Sequence, residues 1–286
     1  MRTTSERLRV VTLNLLTVTD ADGKTRQEVV RAALPELNPD VIALQEVTRG
    51  PDSDQAAYLL GPEYTVVDLP GPPNQAGECL ASRWPLGRVA TLDRPIEAGT
   101  GTDGGSVDEP RATAVAVEVL LPPPVGPVLV VHHRGTYELH LEHVREKQAL
   151  ATARFIEDLV ADRPVILLGD FNAAPDSASL RFLTGKQSLA GTSVRYEDAW
   201  EAIHPGEPGH TFTPRNPLVA SGQMPMERGR RIDHILIRSG SHGPLLDVAD
   251  CRHVFDQPVN GVWASDHFGV LADLQLPPHA PGTWAS

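Results

Sequence analysis

Short apolar runs that end in polar residues constrain this chain more than any other feature. Residues 8–16, 41–45, 128–133 and 165–168 are rich in Val, Leu and Ile, and each reads as a buried strand. They close on Asn14, on Gln45-Glu46, on His132-His133 and on Gly169-Asp170-Phe171-Asn172. A further polar triplet, Ser265-Asp266-His267, stands just before the last apolar run at 268–276. Strand ends gathered on one edge of a sheet converge in space, and α/β sites are assembled there.

The rest of the pattern supplies the partners of these strands. Val29, Val30, Ala33, Leu34 and Leu37 recur at helical spacing, so a helix is expected over 24–38, stopped by Asn38-Pro39. The strongest helix is expected over 142–159, with Leu150, Ala153, Ile156 and Val160 on one face and Arg163-Pro164 closing it. Short helices are expected near 53–60 and before 183, and further strands at 64–67, 79–82, 113–121, 232–237 and 246–251. Residues 70–77 and 97–110 read as loops, and 201–230 as a long loop shaping an active site. Strands outnumber helices and the helices stand between strand groups, which excludes a simple alternating βαβ chain. No repeat or linker divides the sequence, so one domain is expected over 1–286, with its core at 8–276 and a frayed tail at 277–286.

Composition narrows the partners. The chain has 286 residues, and 25 Lys and Arg stand against 37 Asp and Glu, a formal charge of −12. Non-specific binding to nucleic acid draws most of its energy from cations that neutralise phosphates, so this balance disfavours nucleic acid without excluding a local basic groove. The 2 cysteines, Cys79 and Cys251, make no disulfide framework. No secretory leader is evident at the start and no apolar stretch is long enough to span a membrane, so a soluble, cytoplasmic protein is expected. Oligomeric state is open at this level.

The polar strand ends supply carboxylates, amides and histidines. Hard oxygen ligands suit Mg²⁺, which takes one or two carboxylates together with water and substrate phosphate. Sparse cysteine and the lack of an HExxH motif argue against zinc. Each residue also has an ordinary reading. Asn14 can cap a turn, Glu46 can be a loop acid, and Gly169–Asn172 can be a plain turn. Asp266-His267 can be a helix cap or a surface pair, and His132 and His133 can be core histidines at a strand end. On the residues alone, a metal–carboxylate site and a purely structural set both stay open.

Taken in order, the motifs form a recognisable series: Asn14, Leu44-Gln45-Glu46, Ser82-Arg83-Trp84-Pro85, Gly169-Asp170-Phe171-Asn172, Arg231-Ile232-Asp233-His234-Ile235-Leu236 and Ser265-Asp266-His267. This series resembles the endonuclease/exonuclease/phosphatase superfamily over residues 8–276. The resemblance implies an α/β fold like that of deoxyribonuclease I, a four-layer α/β sandwich of two packed mixed β-sheets flanked by helices. It implies Mg²⁺, with Mn²⁺ as a substitute, held chiefly by Glu46 with Asn14 beside it and Asp266 as a direct or outer ligand. It makes Asp170 the base that activates water, and Asn172 the holder of a phosphate oxygen or the nucleophile. It sets His267, oriented by Asp233, against the phosphoryl group, and His133 in the place of the family's other histidine. Arg111, Arg215 and Asn216 are further candidates for substrate contact, with a structural ion pair equally open for Arg111. Glu78 reads either as a partner of His133 or as a solvated edge acid, and Asp198 as structural.

Departures from the family's branches narrow the reading. Leu16 stands where the apurinic-endonuclease branch carries an acid, and that branch has a tyrosine in the place His133 is expected to take. Arg231-Ile232-Asp233-His234 differs from the tryptophan-cysteine-aspartate-arginine pattern of the inositol phosphatases. The expected function is Mg²⁺-dependent hydrolysis of a phosphate ester, as a phosphodiesterase or phosphatase on a small or lipid-like substrate. A metal-dependent nuclease is the alternative, and a non-enzymatic binding module on the same fold the third reading.

Overall fold

The computed structural model describes residues 7–50, 53–69, 76–97, 110–160 and 163–284. The loops expected at 70–77 and 97–110 lie almost wholly outside these residues. In chain order the elements are β1 (Arg7–Asn14), α1 (Gly23–Leu37), β2 (Val41–Val47), β3 (Arg49–Gly50), β4 (Ser53–Asp54), α2 (Gln55–Leu60), β5 (Thr65–Leu69), β6 (Gly77–Ser82), β7 (Leu86–Pro95) and β8 (Arg111–Leu120). There follow β9 (Pro127–Arg134), α3 (Glu142–Leu159), β10 (Val165–Asp170), α4 (Ala178–Leu183), β11 (Tyr196–Asp198), α5 (Ala199–Ile203), α6 (Pro217–Ala220), β12 (Asp233–Gly240), β13 (Gly243–Pro244), β14 (Asp247–Val254) and β15 (Gly269–Gln275).

The strands form two mixed sheets. One runs β14-β15-β1-β2-β6-β5, and the other β11-β12-β10-β9-β8-β7, with β13 beside β12. Each has a parallel pair at its centre, β1 with β2 and β9 with β10, and antiparallel neighbours outside it. Central strands are buried on both faces, which explains their unbroken apolar runs.

Side chains alternate across a strand, and the alternation builds three apolar layers. Leu8, Val10, Val41 and Ala43 of the first sheet meet Val130, Ile166, Leu168 and Ile235 of the second in the inter-sheet core. Val11, Leu13, Ile42 and Leu44 turn the other way, onto Val30 and Leu34 of α1 and Leu59 of α2. Leu129, Val131, Val165 and Leu167 turn outward onto Ala149, Ala153 and Ile156 of α3. Burying a Val or Leu in such a layer stabilises by about 1.5–3 kcal/mol. The four-layer order expected from the resemblance is thus observed, with helices outside both sheets.

Helix α1 ends where its sequence says it should. Asn38 is left-handed at φ 49 and its N–H reaches back to the Leu34 carbonyl, a cap that Asn tolerates. Two corrections concern the periphery. Strand β7 adds to the expected set; it is a sheet edge, exposed along most of its length, and so has no apolar run to announce it. The stretch 201–230 is not all loop: α5 extends into it, and α6 begins at Pro217, with the side chain of Asn216 capping it. Cys79 and Cys251 are both buried and free.

Candidate active site

Strand parity delivers the first side chains. Asn14 shares the inward parity of Leu8 and Val10, Asp170 that of Ile166 and Leu168, Asp233 that of Ile235 and Ile237, and Arg134 that of Val128 and Val130. All stand at one end of their strands, where the apolar inter-sheet layer gives way to polar groups. Asp170 and Asp233 face each other in the register of β10 and β12, and Asp170 also lies opposite Arg134 of β9.

Glu46 needs a second device. On a plain strand it would follow Ile42 and Leu44 toward the helices. Instead the register of β2 with β6 shifts between Leu44 and Val47, and Glu46 takes a left-handed φ of 59. Such bulges re-aim a side chain. The carboxylate swings toward Asn14, whose amide nitrogen donates to Glu46 Oε1 at 3.2 Å and to Asp170 Oδ2 at 3.1 Å. Leu16 at φ 51 and Asn172 at φ 50 are also left-handed, and all three line the same pocket. Non-glycine residues held this way cost about 1–3 kcal/mol each and gather at functional sites.

The pocket holds about 640 Å³ and is lined by Asn14, Glu46, Arg134, Asp170, Asp266 and His267, among others. His267 enters on the loop ahead of β15 and bonds Asp233 Oδ2 through Nδ1 at 2.9 Å. The Asn172 backbone N–H donates to Asp170 Oδ1 at 3.0 Å, and its side-chain nitrogen to the Gly135 carbonyl at 3.0 Å. Buried arginines fix the loops that carry the site. Arg26 of α1 donates to the carbonyls of Leu15, Leu16 and Thr17 after β1, and to Ala264 beside Asp266. Arg145 of α3 does the same for Thr136, Glu138 and Leu139 after β9.

Electrostatics separate the two sides of the pocket. Burial and the neighbouring Asp233 charge push the Asp170 carboxyl up to about 6. Burial opposes a charged ring at His267, but the Asp233 charge and hydrogen bond overcome it and hold the imidazolium to about 10. Asp266 is raised by burial despite the nearby His267, with Glu46 adding to the rise. Glu46 accepts from Arg134 at 2.9 Å and from the Thr17 N–H at 3.2 Å. Arg134 also reaches Glu78 at 3.3 Å.

Several expectations need correction. His133 is buried on the opposite face of β9, where its Nδ1 meets Thr152 of α3 at 3.0 Å and its ring meets Phe171; burial depresses it to about 4. His132 does face inward but is spent on Gln45 at 2.8 Å. Arg134, one residue beyond the expected end of the strand, is the side chain of β9 that lines the pocket. Inward parity counted on from Val128 and Val130 is the signal that points to it. Glu78 is no solvated edge acid: it is buried against Arg134.

The arginine and amide candidates also move. Arg111 sits at the start of β8 in an ion pair with Asp93 at 2.6 Å, outside the lining of the pocket. Arg215 is exposed and also outside it. Asn216 is wholly buried and donates to the Ser265 and Asp266 carbonyls at 2.8 and 3.2 Å, so it secures the segment that carries His267 and does not face the pocket. Asn14 turns its amide nitrogen to the carboxylates and its oxygen to the Leu16 N–H, so it links Glu46 to Asp170. Asp198 is structural, in a buried pair with Arg231 beside His234.

The donor set suits a hard divalent cation. Glu46, Asp170, Asp266 and His267 all line the pocket, and Asp170, Asp233 and His267 hold ligand atoms within 4.8 Å of one another. Asp233 Oδ1 is buried without a hydrogen-bond partner. The trio already contains its own cation, the His267 ring between carboxylates, and that charge opposes a metal among them. Glu46 has a cation of its own in Arg134 at 2.9 Å, and Asp266 feels the His267 charge, so positive groups stand beside both sets of carboxylates.

The profile of the Endonuclease/Exonuclease/phosphatase family matches residues 11–267. Solved structures share the fold. TDP2 of D. rerio, complexed with single strand DNA product, superposes with a TM-score of 0.73 at 17% identity, over 94% of this chain and 99% of its own. An endonuclease/exonuclease/phosphatase from Bacteroides vulgatus gives 0.72 at 22% identity, over 96% and 100%. The human nocturnin catalytic domain with bound sulfate anion gives 0.71 at 17% identity, over 95% of each chain. No curated protein matches the sequence.

Proposed function

Because the chain belongs to the endonuclease/exonuclease/phosphatase family, whose members hydrolyse phosphate esters, we propose that it is a Mg²⁺-dependent phosphodiesterase or phosphatase acting on a small or lipid-like ester. The observation that carries this reading is the single Asn14 amide that ties Glu46 to Asp170 in the pocket where His267 also stands. A metal-binding carboxylate, a water-activating carboxylate and a cation for phosphoryl oxygen thereby share one cavity. The reading takes residues 1–286 as one domain.

Glu46 and Asp266 would hold Mg²⁺, with Mn²⁺ as a substitute. When bound, the metal draws charge from phosphoryl oxygen and stabilises the leaving oxygen. Asp170 is the base. Its pKa near 6 leaves it ionised at neutral pH, yet basic enough to take a proton from water. Asn14 and the Asn172 N–H keep its oxygens aimed, so little reorganisation is needed as the proton moves. His267, charged and fixed by Asp233, presents its remaining ring N–H to a phosphoryl oxygen as negative charge builds there. Arg134, locked by Glu78, adds a second cation on the Glu46 side.

The nuclease alternative draws on the DNA product bound by the D. rerio relative. The charge of −12 speaks against it. The metal assignment has its own test. Disturbing residues that merely support a metal ligand weakens affinity by about 10–100-fold, so Glu46→Gln, which removes a direct one, is expected to weaken Mg²⁺ by at least about tenfold in calorimetric titration. Unchanged Mg²⁺ affinity would move the metal away from Glu46.

A further inference from the structure

We infer that the ester this site prefers carries a single negative charge at phosphorus and an apolar or aromatic group that lies against a wall formed by Phe212, Leu218 and Met224. The inference rests on the hydrolase reading of the same pocket and names its substrate class. The first observation is the wall itself. Phe212, Val219 and Ile232 form an apolar cluster separate from the main core, with Met224 packed against it. Phe212, Leu218 and Met224 line the pocket that holds Asp170 and His267. An apolar surface beside a few converging polar groups is how small-molecule sites combine grip with orientation.

The second observation is charge. Arg134 and Arg230 are the arginines lining the pocket among the described residues, and no lysine lines it. Arg134 is engaged by Glu46 and Glu78. Arg230 is engaged by Glu227 at 2.7 Å and lies over the Phe212 ring at 5.7 Å. Asp20, Glu46, Asp170 and Asp266 line the same cavity. A polyanionic strand needs several cations to neutralise successive phosphates, and this pocket does not supply them. One anionic phosphorus is served by the metal and His267, and what flanks it meets carbon.

A third observation lies at the rim. Tyr137 is 57% exposed on the loop after β9. Tyr137 lines the pocket, so a further aromatic ring is presented to what enters it.

The test is binding of stable diesters by calorimetry in the presence of Mg²⁺, with diphenyl phosphate, dimethyl phosphate and a ten-residue oligothymidylate as probes. Diphenyl phosphate is expected to bind at least about tenfold tighter than dimethyl phosphate, since one methylene in an apolar pocket already gives about tenfold. Met224→Ser and Leu218→Ser are expected to narrow that ratio to within about threefold. Equal affinity for the two diesters, no binding of either, a ratio indifferent to both substitutions, or tighter binding of the oligonucleotide would each overturn the inference. Turnover decides the hydrolase reading separately: an enzyme that hydrolyses diesters without this preference refutes the inference alone.

Discussion

Asp170→Asn is expected to lower turnover by about 10²–10⁴-fold, the range a positioned base contributes. The substitution keeps the shape of the side chain and the acceptor for the Asn172 N–H. It removes a buried negative charge that stands against Asp233, so the fold gains what it loses in the Asn14 hydrogen bond. The unfolding midpoint should therefore stay within about 4 °C of wild type, equivalent to about 1 kcal/mol in a chain of this size. The pH profile adds a signature. Asp170 must be ionised and its carboxyl sits at about 6, so activity falls as pH drops below that value. His267 must be charged and is held to about 10, so activity falls again above it. Bound Mg²⁺ favours the Asp170 anion and moves the acid limb downward. In Asp170→Asn the acid limb should disappear from whatever rate remains. An acid limb unchanged in the variant would assign it to another group.

Gly169→Ala should unfold the protein or reduce it to insoluble material. A Cβ at Gly169 would lie 2.0 Å from the backbone carbonyl of His133 in the paired strand β9, and φ there is 146. Backbone on both sides leaves nothing flexible to yield, and L side chains avoid that φ. A loss above about 4 kcal/mol is expected, in the class of severe backbone effects. Denaturant unfolding of any soluble material measures it. A loss below about 1 kcal/mol would mean that β9 and β10 separate easily at this point, and the placement of Asp170 would then need revision.

The glycine shows why part of the site is legible in the sequence. Gly169 and Asp170 serve one purpose: the glycine lets β9 and β10 close up, and Asp170, two residues on from Leu168, inherits the inward parity of that leucine. Asn14 and Asp233 follow the same period-two rule, and so does the bulk of the two sheets. What the pattern does not reveal depends on breaks in that rule or on distant partners. Glu46 reaches the pocket only through a bulge that no run of residues announces. The family resemblance points to His133, but parity sends it under α3, and Arg134, the next residue, lines the pocket instead. Asn216 carries no periodic signal at all; its role comes from carbonyls of residues 265 and 266, far along the chain. Arg26 and Arg145 look like ordinary surface residues of amphipathic helices, yet both are buried on loop carbonyls.

The central claim is that Glu46, Asp170 and His267 form one metal-dependent centre for hydrolysing phosphate esters. The most direct measurement is p-nitrophenol release from bis-(p-nitrophenyl) phosphate and p-nitrophenyl phosphate by wild-type protein with Mg²⁺, after EDTA, after Mg²⁺ is restored, and by Asp170→Asn in parallel. The expected result is release from at least one ester that EDTA abolishes, that Mg²⁺ restores, and that the substitution removes. Release that survives EDTA, release unchanged in Asp170→Asn, or none from either ester would contradict it.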